Sequence, residues 1–175
     1  PFDALEAQQI QRAANKMNRS LLRPLEGVTY SRLQTPGQAQ GEQASSWLSR
    51  RYQSGNDLIV GVNALLVDLD WSSRTSEFEQ ALCDLAWHLG LAGERPERDT
   101  GRGPDDLWAL ADASYLVIEA KSGAKDSHPV YKNDAKQLSN AMDWFRAEYP
   151  RASGVPVLVH PLPEFDKHAA VPTGC

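Results

Sequence analysis

The stretch Gly103-Pro104-Asp105-Asp106, read together with Glu119-Ala120-Lys121 further along the chain, decides the fold expected for this sequence. The second motif ends the apolar run Tyr115-Leu116-Val117-Ile118, which predicts a β-strand. Side chains alternate between the two faces of a strand, so Glu119 and Lys121 should share one face while Ala120 points away. A carboxylate and an ammonium at the end of an apolar strand are costly unless they pair with each other or bind a metal and a substrate. The motifs therefore predict a charged site at this strand end.

The elements around the motifs alternate between helix and strand. The sequence predicts a helix over residues 76–89, a hairpin of strands 107–110 and 115–120, a helix over 134–149 and a buried strand over 155–160. The polar stretch 93–104 is predicted as a loop. Because the strand 115–120 is apolar on both faces, it should be central and covered on both sides. This order predicts an α/β core of two or three layers with a mixed sheet.

Residues 1–70 are predicted as a helical accessory or linker region, and residues 71–175 as the α/β domain. Apolar spacing predicts helices over 3–22 and 42–53 with a loop between them. The apolar run 57–67 suits either a buried helix or a strand, and periodicity does not separate the two; we favour a helix.

The amino-acid composition and net charge limit the classes of function that the protein can have. The hydrophobic fraction is 41% of 175 residues, which is globular, and no apolar run approaches the roughly 20 residues that span a bilayer. The net charge is -5, which argues against a protein that holds nucleic acid by charge alone. The acidic excess falls in residues 71–150, with fourteen acidic and nine basic residues. This excess suits a divalent cation or, equally, a solvated acidic surface.

The cysteines and the first residue of the chain bear on its cellular location and on whether it is a segment of a longer protein. Cys83 lies in a helical pattern and Cys175 is the last residue, so neither a disulfide framework nor a thiolate metal site is indicated. A cytoplasmic location is predicted. The chain begins at Pro1 without Met or a signal-type segment, which predicts a segment of a longer protein.

The sequence Pro104-Asp105, followed after an apolar strand by Glu119-x-Lys121, resembles the PD-(D/E)xK nuclease superfamily, over roughly residues 71–160. The resemblance implies the restriction-endonuclease-like fold, a mixed sheet flanked by helices, and Mg²⁺-dependent hydrolysis of phosphodiester bonds in DNA, with Mn²⁺ as an alternative ion. Asp105, Glu119 and the Ala120 carbonyl are implied to hold the metal, and Lys121 to orient the attacking water. Magnesium does prefer such hard oxygen ligands, and a lysine supplies a point charge. The alternative is an exposed ion pair that adds at most about 1 kcal/mol.

Two further carboxylates near the motif have open interpretations. The resemblance implies that a glutamate of the preceding helix completes the acidic cluster, and Glu79 matches it, with Glu77 behind. However, Ser76-x-x-Glu79 is also a capping box, in which the glutamate only bonds the helix terminus. Asp106 is an alternative ligand to Asp105, because the sequence does not fix the turn before the strand.

The helix after the motif carries polar candidates. Gln137 matches a polar residue that related nucleases use near the active site. Lys132 and Lys136 are candidates for phosphate contact or for an ordinary solvated helix face. Lys125, in the small-residue loop after Lys121, is a further candidate contact with nucleic acid. The four histidines lack zinc-binding spacing, although His128 follows the motif strand.

The wider pattern is similar to nuclease domains of large bacterial helicase-nuclease or phage-defence proteins, in the segments Gly-x-Gly-Pro-Asp-x-Leu-Trp, Tyr-Leu-Val-Ile-Glu-Ala-Lys-Ser-Gly and Gln-Leu-x(5)-Trp-Phe. This similarity implies DNA as a partner, a role in antiviral defence and an upstream helicase or motor domain. Two alternatives stay open: a catalytically inactive module of the same fold that binds nucleic acid or a partner protein, and a nuclease that acts on RNA.

Overall fold

A computed structural model describes residues 4–18, 30–34, 39–123 and 128–169. Within these ranges the chain forms helices and strands in the order α1 (Ala4–Met17), α2 (Gln40–Arg51), α3 (Gly55–Asp68), α4 (Thr75–His88), β1 (Ala92–Glu94), α5 (Pro96–Thr100), β2 (Asp106–Ala109), β3 (Ser114–Ala120), α6 (Lys132–Glu148) and β4 (Ser153–Val159).

The strands form one mixed sheet in the order β1-β2-β3-β4. β1 and β3 both run antiparallel to β2, while β4 runs parallel to β3. The predicted hairpin, the mixed sheet and the central position of β3 are therefore confirmed. The prediction that the last strand is buried is wrong: β4 lies at the sheet edge, and Pro156 is its one buried residue.

Helices cover both faces of the sheet, which makes three layers. Side chains alternate along β2 and β3. On one face, β2 and β3 pack against α6 in a cluster of Leu107, Ala109, Tyr115, Val117, Ala141, Met142, Phe145 and Tyr149. On the other face they pack against α4 in a cluster of Phe78, Leu82, Ala86, Trp108, Ile118 and Ala120. Burial of these apolar side chains is the main term that stabilises the layers.

The N-terminal helices lie beside α4 and α5. α1 contacts α5, and α2 and α3 contact α4. The apolar run that we assigned to a helix is α3, capped at Ser54, whose Oγ accepts the Asp57 N–H at 3.1 Å. The first predicted helix ends at Met17 rather than at residue 22, and residues 19–29 lie outside the described ranges. The boundary at residue 70 stays a prediction.

Two local predictions are wrong. The stretch 93–104, predicted as a loop, contains part of β1 and the whole of α5. β1 has only three residues, too few to show a period, and Pro96 opens the five-residue α5. Leu89, predicted on the apolar stripe of α4, is 46% exposed because the helix ends at His88. Gly90 follows with a φ of 74°, as expected for the residue past a helix end.

None of the described helices is both long and apolar enough to cross a membrane.

Candidate active site

The site forms where β3 and β4 end side by side. The two strands are parallel, so both carboxyl ends lie at the same edge of the sheet. The pairing continues past β3, where the Lys121 N–H donates to the Val159 carbonyl at 2.9 Å. The Glu119 side chain is buried, and the Lys121 Nζ lies 3.3 Å from its Oε2. The predicted charge pair on one face of the strand is thus confirmed.

Asp105 reaches this edge from the loop before β2. Gly103 has a φ of +99°, a conformation that glycine adopts readily. The Pro104 carbonyl accepts the Glu97 N–H at 3.1 Å, which fixes the loop against α5. The Asp105 Oδ2 then accepts the N–H of Ala120 at 2.8 Å. The structure therefore brings Asp105 next to the residue that separates Glu119 from Lys121.

The charges of the site act on one another. The pKa of Glu119 is raised to about 8; burial is the largest cause, the negative charge of Asp105 adds to it, and Lys121 opposes both. Two carboxylates held near each other in a partly buried site favour either a proton or a cation between them. This is the electrostatic condition that a divalent cation would relieve.

Glu79 faces Asp105 from α4, and the capping-box interpretation is wrong. The cap of α4 is Arg74, without a side-chain cap bond, so Glu79 lies beyond the first turn. Its carboxylate instead pairs with the buried guanidinium of Arg95. Burial is the largest cause of a raised Glu79 pKa, followed by the charge of Asp105, while Arg95 lowers that pKa. Glu77 pairs with Arg74 at 2.5 Å.

Arg95 was missed by the sequence reasoning. It stands between β1 and Pro96 in the stretch predicted as a loop, and its partner Glu79 is 16 residues away. The one sequence signal was its position before a proline, which marks a boundary between elements but does not identify a partner. Its side chain is only 7% exposed, so it belongs to the framework behind the carboxylates.

Asp106 lies on the other face of the sheet. It is opposite Ile118 in the antiparallel register and 0% exposed, and neither carboxylate oxygen has a hydrogen-bond partner among the described residues. Its pKa is raised to about 9; burial is the largest cause, Arg95 opposes it, and the charges of Asp105 and Glu79 add to it. Of the two aspartates, Asp105 is therefore the one placed beside Glu119 and solvent.

Two solvent-open cavities meet at the carboxylates. One, of about 490 Å³, has a lining of Thr75, Glu79, Asp105, Ala120, Lys121, Gly123, His128, Pro129, Tyr131, Asp134 and His160. The other, of about 810 Å³, shares Glu79 and Asp105 with it and extends towards Arg95 and Arg98. The sequence did not point to His160, Tyr131 or Asp134, because only the tertiary fold brings these residues to the motif.

The remaining candidates lie apart from these cavities or outside the described ranges. Gln137, Lys132 and Lys136 are exposed on α6, and none is among the described residues that line the two cavities. From the start of α6, Tyr131 and Asp134 contribute to the lining instead. Lys125 lies outside the described residues.

The oxygen atoms at the site can be compared with the ligands that a metal ion requires. The described residues contain no group of three or more His, Cys, Asp or Glu side chains that could hold a metal ion. Magnesium, however, is usually held by one or two carboxylates, with water and substrate phosphate in the other positions. Asp105, Glu119 and the Ala120 carbonyl supply such a set of hard oxygen donors, and the raised pKa of Glu119 marks a place where positive charge is favoured.

No protein-family model, curated protein or solved structure matches the chain.

Proposed function

We propose that this chain is a Mg²⁺-dependent nuclease domain of the PD-(D/E)xK type that hydrolyses phosphodiester bonds in DNA. The observation that carries the proposal is the meeting of Asp105, Glu119 and Lys121 at the end of β3, where Asp105 and Lys121 line a solvent-open cavity and the buried Glu119 pairs with Lys121. The order of α4, the β2–β3 hairpin, α6 and β4 supports the restriction-endonuclease-like fold that the motif implies.

Each residue has a role that its surroundings support. Asp105, Glu119 and the Ala120 carbonyl would hold the ion, and the bond from the Ala120 N–H fixes the Asp105 carboxylate. A bound Mg²⁺ lowers the pKa of its water and offsets charge on the phosphoryl oxygens. Lys121, beside Glu119, donates N–H groups to a phosphate oxygen and to the attacking water. Glu79, paired with Arg95, lies behind Asp105.

The proposal includes the setting of the domain. A net charge of -5 supplies little sequence-independent affinity for DNA. Delivery of DNA by a helicase or motor domain upstream, in the same or a partner chain, would compensate for this. A cytoplasmic role in phage defence is part of the same proposal.

A non-catalytic module that binds nucleic acid or a protein is the second candidate, because the charged groups already have partners. Glu119 pairs with Lys121, Glu79 with Arg95, and Asp105 accepts the Ala120 N–H. A site saturated in this way is stable without a metal. The two functions differ in whether a cation displaces these internal partners.

Cleavage assays separate the candidates. The protein is incubated with plasmid, linear duplex, single-stranded DNA and RNA, in Mg²⁺, Mn²⁺ or EDTA. The test variants are Asp105→Asn, Glu119→Gln and Lys121→Met. The exposed pair Arg146–Asp143, at 2.9 Å on α6, supplies the matched controls Asp143→Asn and Arg146→Met.

We expect metal-dependent cutting of DNA that falls at least about a hundredfold in each test variant and is unchanged in the controls. Cutting that survives Glu119→Gln at full rate would assign the activity to a contaminant and contradict the proposal. Binding of DNA without cutting in either metal would favour the non-catalytic module. Preferential cutting of RNA would correct the substrate.

A further inference from the structure

Two histidines line the 490 Å³ cavity beside the motif residues. His128 precedes α6 and His160 follows β4, and both line the cavity together with Lys121. The other two histidines lie elsewhere: His88 bonds Tyr52 and the Asp84 carbonyl at 2.7 Å each, and His168 is exposed after β4. Neither cavity histidine has a role in the function proposed above.

The fold fixes the position of His160. Because β4 is parallel to β3 and its last residue, Val159, accepts the Lys121 N–H at 2.9 Å, the next residue emerges at the same sheet edge as the lysine. His160 thus comes to the cavity from the strand that neighbours the motif strand. Sequence spacing alone does not show this, since 39 positions separate the two residues.

The ring of His160 has one nitrogen engaged and one left for a ligand. The Nδ1 atom lies 3.0 Å from the Leu162 backbone nitrogen and 2.9 Å from the Leu162 carbonyl oxygen. A backbone N–H can only donate and a carbonyl can only accept, so the two contacts belong to opposite tautomers, and neither of them involves Nε2. When Nε2 carries a proton, as it does in one neutral tautomer and in the charged ring, His160 offers a ring N–H donor to the cavity. Such a donor suits an anionic oxygen.

Asp134 is the carboxylate that α6 contributes to the lining, and it accepts a backbone hydrogen bond. The Asp134 Oδ2 accepts the N–H of Tyr131 at 2.9 Å and so caps α6. His128 lies beside Tyr131, with ring centroids 6.0 Å apart. The lining therefore combines the N–H donors of Lys121 and His160 with carboxylates. A phosphate that contacts His160 and Lys121 would then lie next to the carboxylates.

We propose that the cavity beside Lys121 holds the DNA backbone next to the cleaved bond, with the His160 Nε2–H donating to a phosphate oxygen and His128 lying within the same contact surface. The proposal rests on the nuclease function above and adds a substrate contact to it. His160 binds the phosphate and takes no part in proton transfer in this scheme.

Proton–carbon NMR of the four imidazoles tests the contact directly. The protein is titrated with a single-stranded DNA oligonucleotide in Ca²⁺ and, separately, in EDTA. We expect saturable shifts of the His160 and His128 ring signals, with His88 and His168 unchanged as internal controls. Fluorescence anisotropy of the same oligonucleotide then compares His160→Ala, His160→Gln and the control His168→Ala.

A lost charge-assisted bond should weaken binding roughly tenfold in His160→Ala, while His160→Gln, which keeps an N–H donor, should recover part of the affinity. Unshifted His160 signals, with wild-type affinity in His160→Ala, in a protein that cuts DNA would overturn this inference and leave the nuclease function intact. Shifts at His160 without cutting in any metal would uphold the contact and reject catalysis. No binding to DNA at all would reject both.

Discussion

The Asp105 Oδ2 accepts a hydrogen bond from the Ala120 N–H at 2.8 Å, which joins the loop before β2 to the last residue of β3. The bond places one carboxylate at the peptide between Glu119 and Lys121. It also explains why Asp105 rather than Asp106 reaches the site, since Asp106 is turned to the opposite face of the sheet. The geometry of the motif is thus set by a bond between side chain and backbone.

Asp105→Asn should lower the pKa of Glu119 from about 8, because the negative charge of Asp105 is one of the causes that raise it. Burial, the largest cause, remains, so the pKa should stay above the ordinary value. The asparagine carbonyl can still accept the Ala120 N–H, which keeps the loop in place. Carboxylate carbon shifts followed by NMR against pH measure the change. An unchanged Glu119 pKa in Asp105→Asn, as in the exposed control Asp112→Asn, would show that the two carboxylates do not interact.

Mg²⁺ should raise the melting temperature more at about pH 9 than at about pH 6. The reason is that Glu119, whose pKa is about 8, must lose its proton before it can bind a cation. Differential scanning fluorimetry at matched ionic strength measures the shift. Glu119→Gln should abolish the pH-dependent part, and Asp143→Asn should keep it. An equal Mg²⁺ shift in Glu119→Gln would place the ion elsewhere.

The sequence predicted the elements that are long and periodic. α6 has its apolar positions at helical spacing, and β3 is an unbroken apolar run, so both were found close to their true bounds. The alternation of side chains along β3 also predicted the Glu119–Lys121 pair, because that contact is local. Local geometry was enough wherever the residues that meet lie within one element.

The other contacts of the site could not be predicted, because they depend on long-range packing. Arg95 meets Glu79 only because the short helix α5 folds back beside α4, and no period in the sequence announces a five-residue helix. His160 reaches the cavity because β4 pairs in parallel with β3. The burial of Asp106 follows from the position of α4 over the sheet. These contacts come from tertiary structure, which one sequence does not specify by spacing.

The free energy of unfolding should fall as pH rises from about 4 to about 9, partly because of Asp106. Its folded pKa is about 9 and its ordinary value is 3.8, so between these values the folded state keeps a proton that the unfolded state has lost. One such group contributes a slope of up to about 1.4 kcal/mol per pH unit. Asp106→Asn should flatten the slope measured by urea unfolding, and Asp112→Asn should not. A slope unchanged by Asp106→Asn would mean that Asp106 ionises normally.

Gly103→Ala should destabilise the fold and reduce any activity of the site. Gly103 has a φ of +99°, and an added Cβ would lie 2.9 Å from Pro96 and 3.0 Å from the Trp144 ring. Strain and overpacking together should cost about 1–3 kcal/mol in urea unfolding and displace Asp105 two residues on. Gly41→Ala is the control, because a Cβ there meets nothing within 4 Å and should stabilise α2 slightly. Equal stability of the two variants would contradict the close packing of this loop.

Arg95→Ala should be among the most damaging single changes in the framework of the site. The Arg95 and Glu79 side chains are only 7% and 15% exposed, and Arg95 also donates to the Ser76 carbonyl at 3.3 Å. Its removal leaves the Glu79 charge buried and unpaired, which should cost about 3–5 kcal/mol and raise the Glu79 pKa further. Arg146→Ala breaks an exposed pair and should cost no more than about 1 kcal/mol. If urea unfolding finds the two variants equally stable, the Arg95–Glu79 pair does not hold α5 against α4, and Glu79 must be kept behind Asp105 by packing alone.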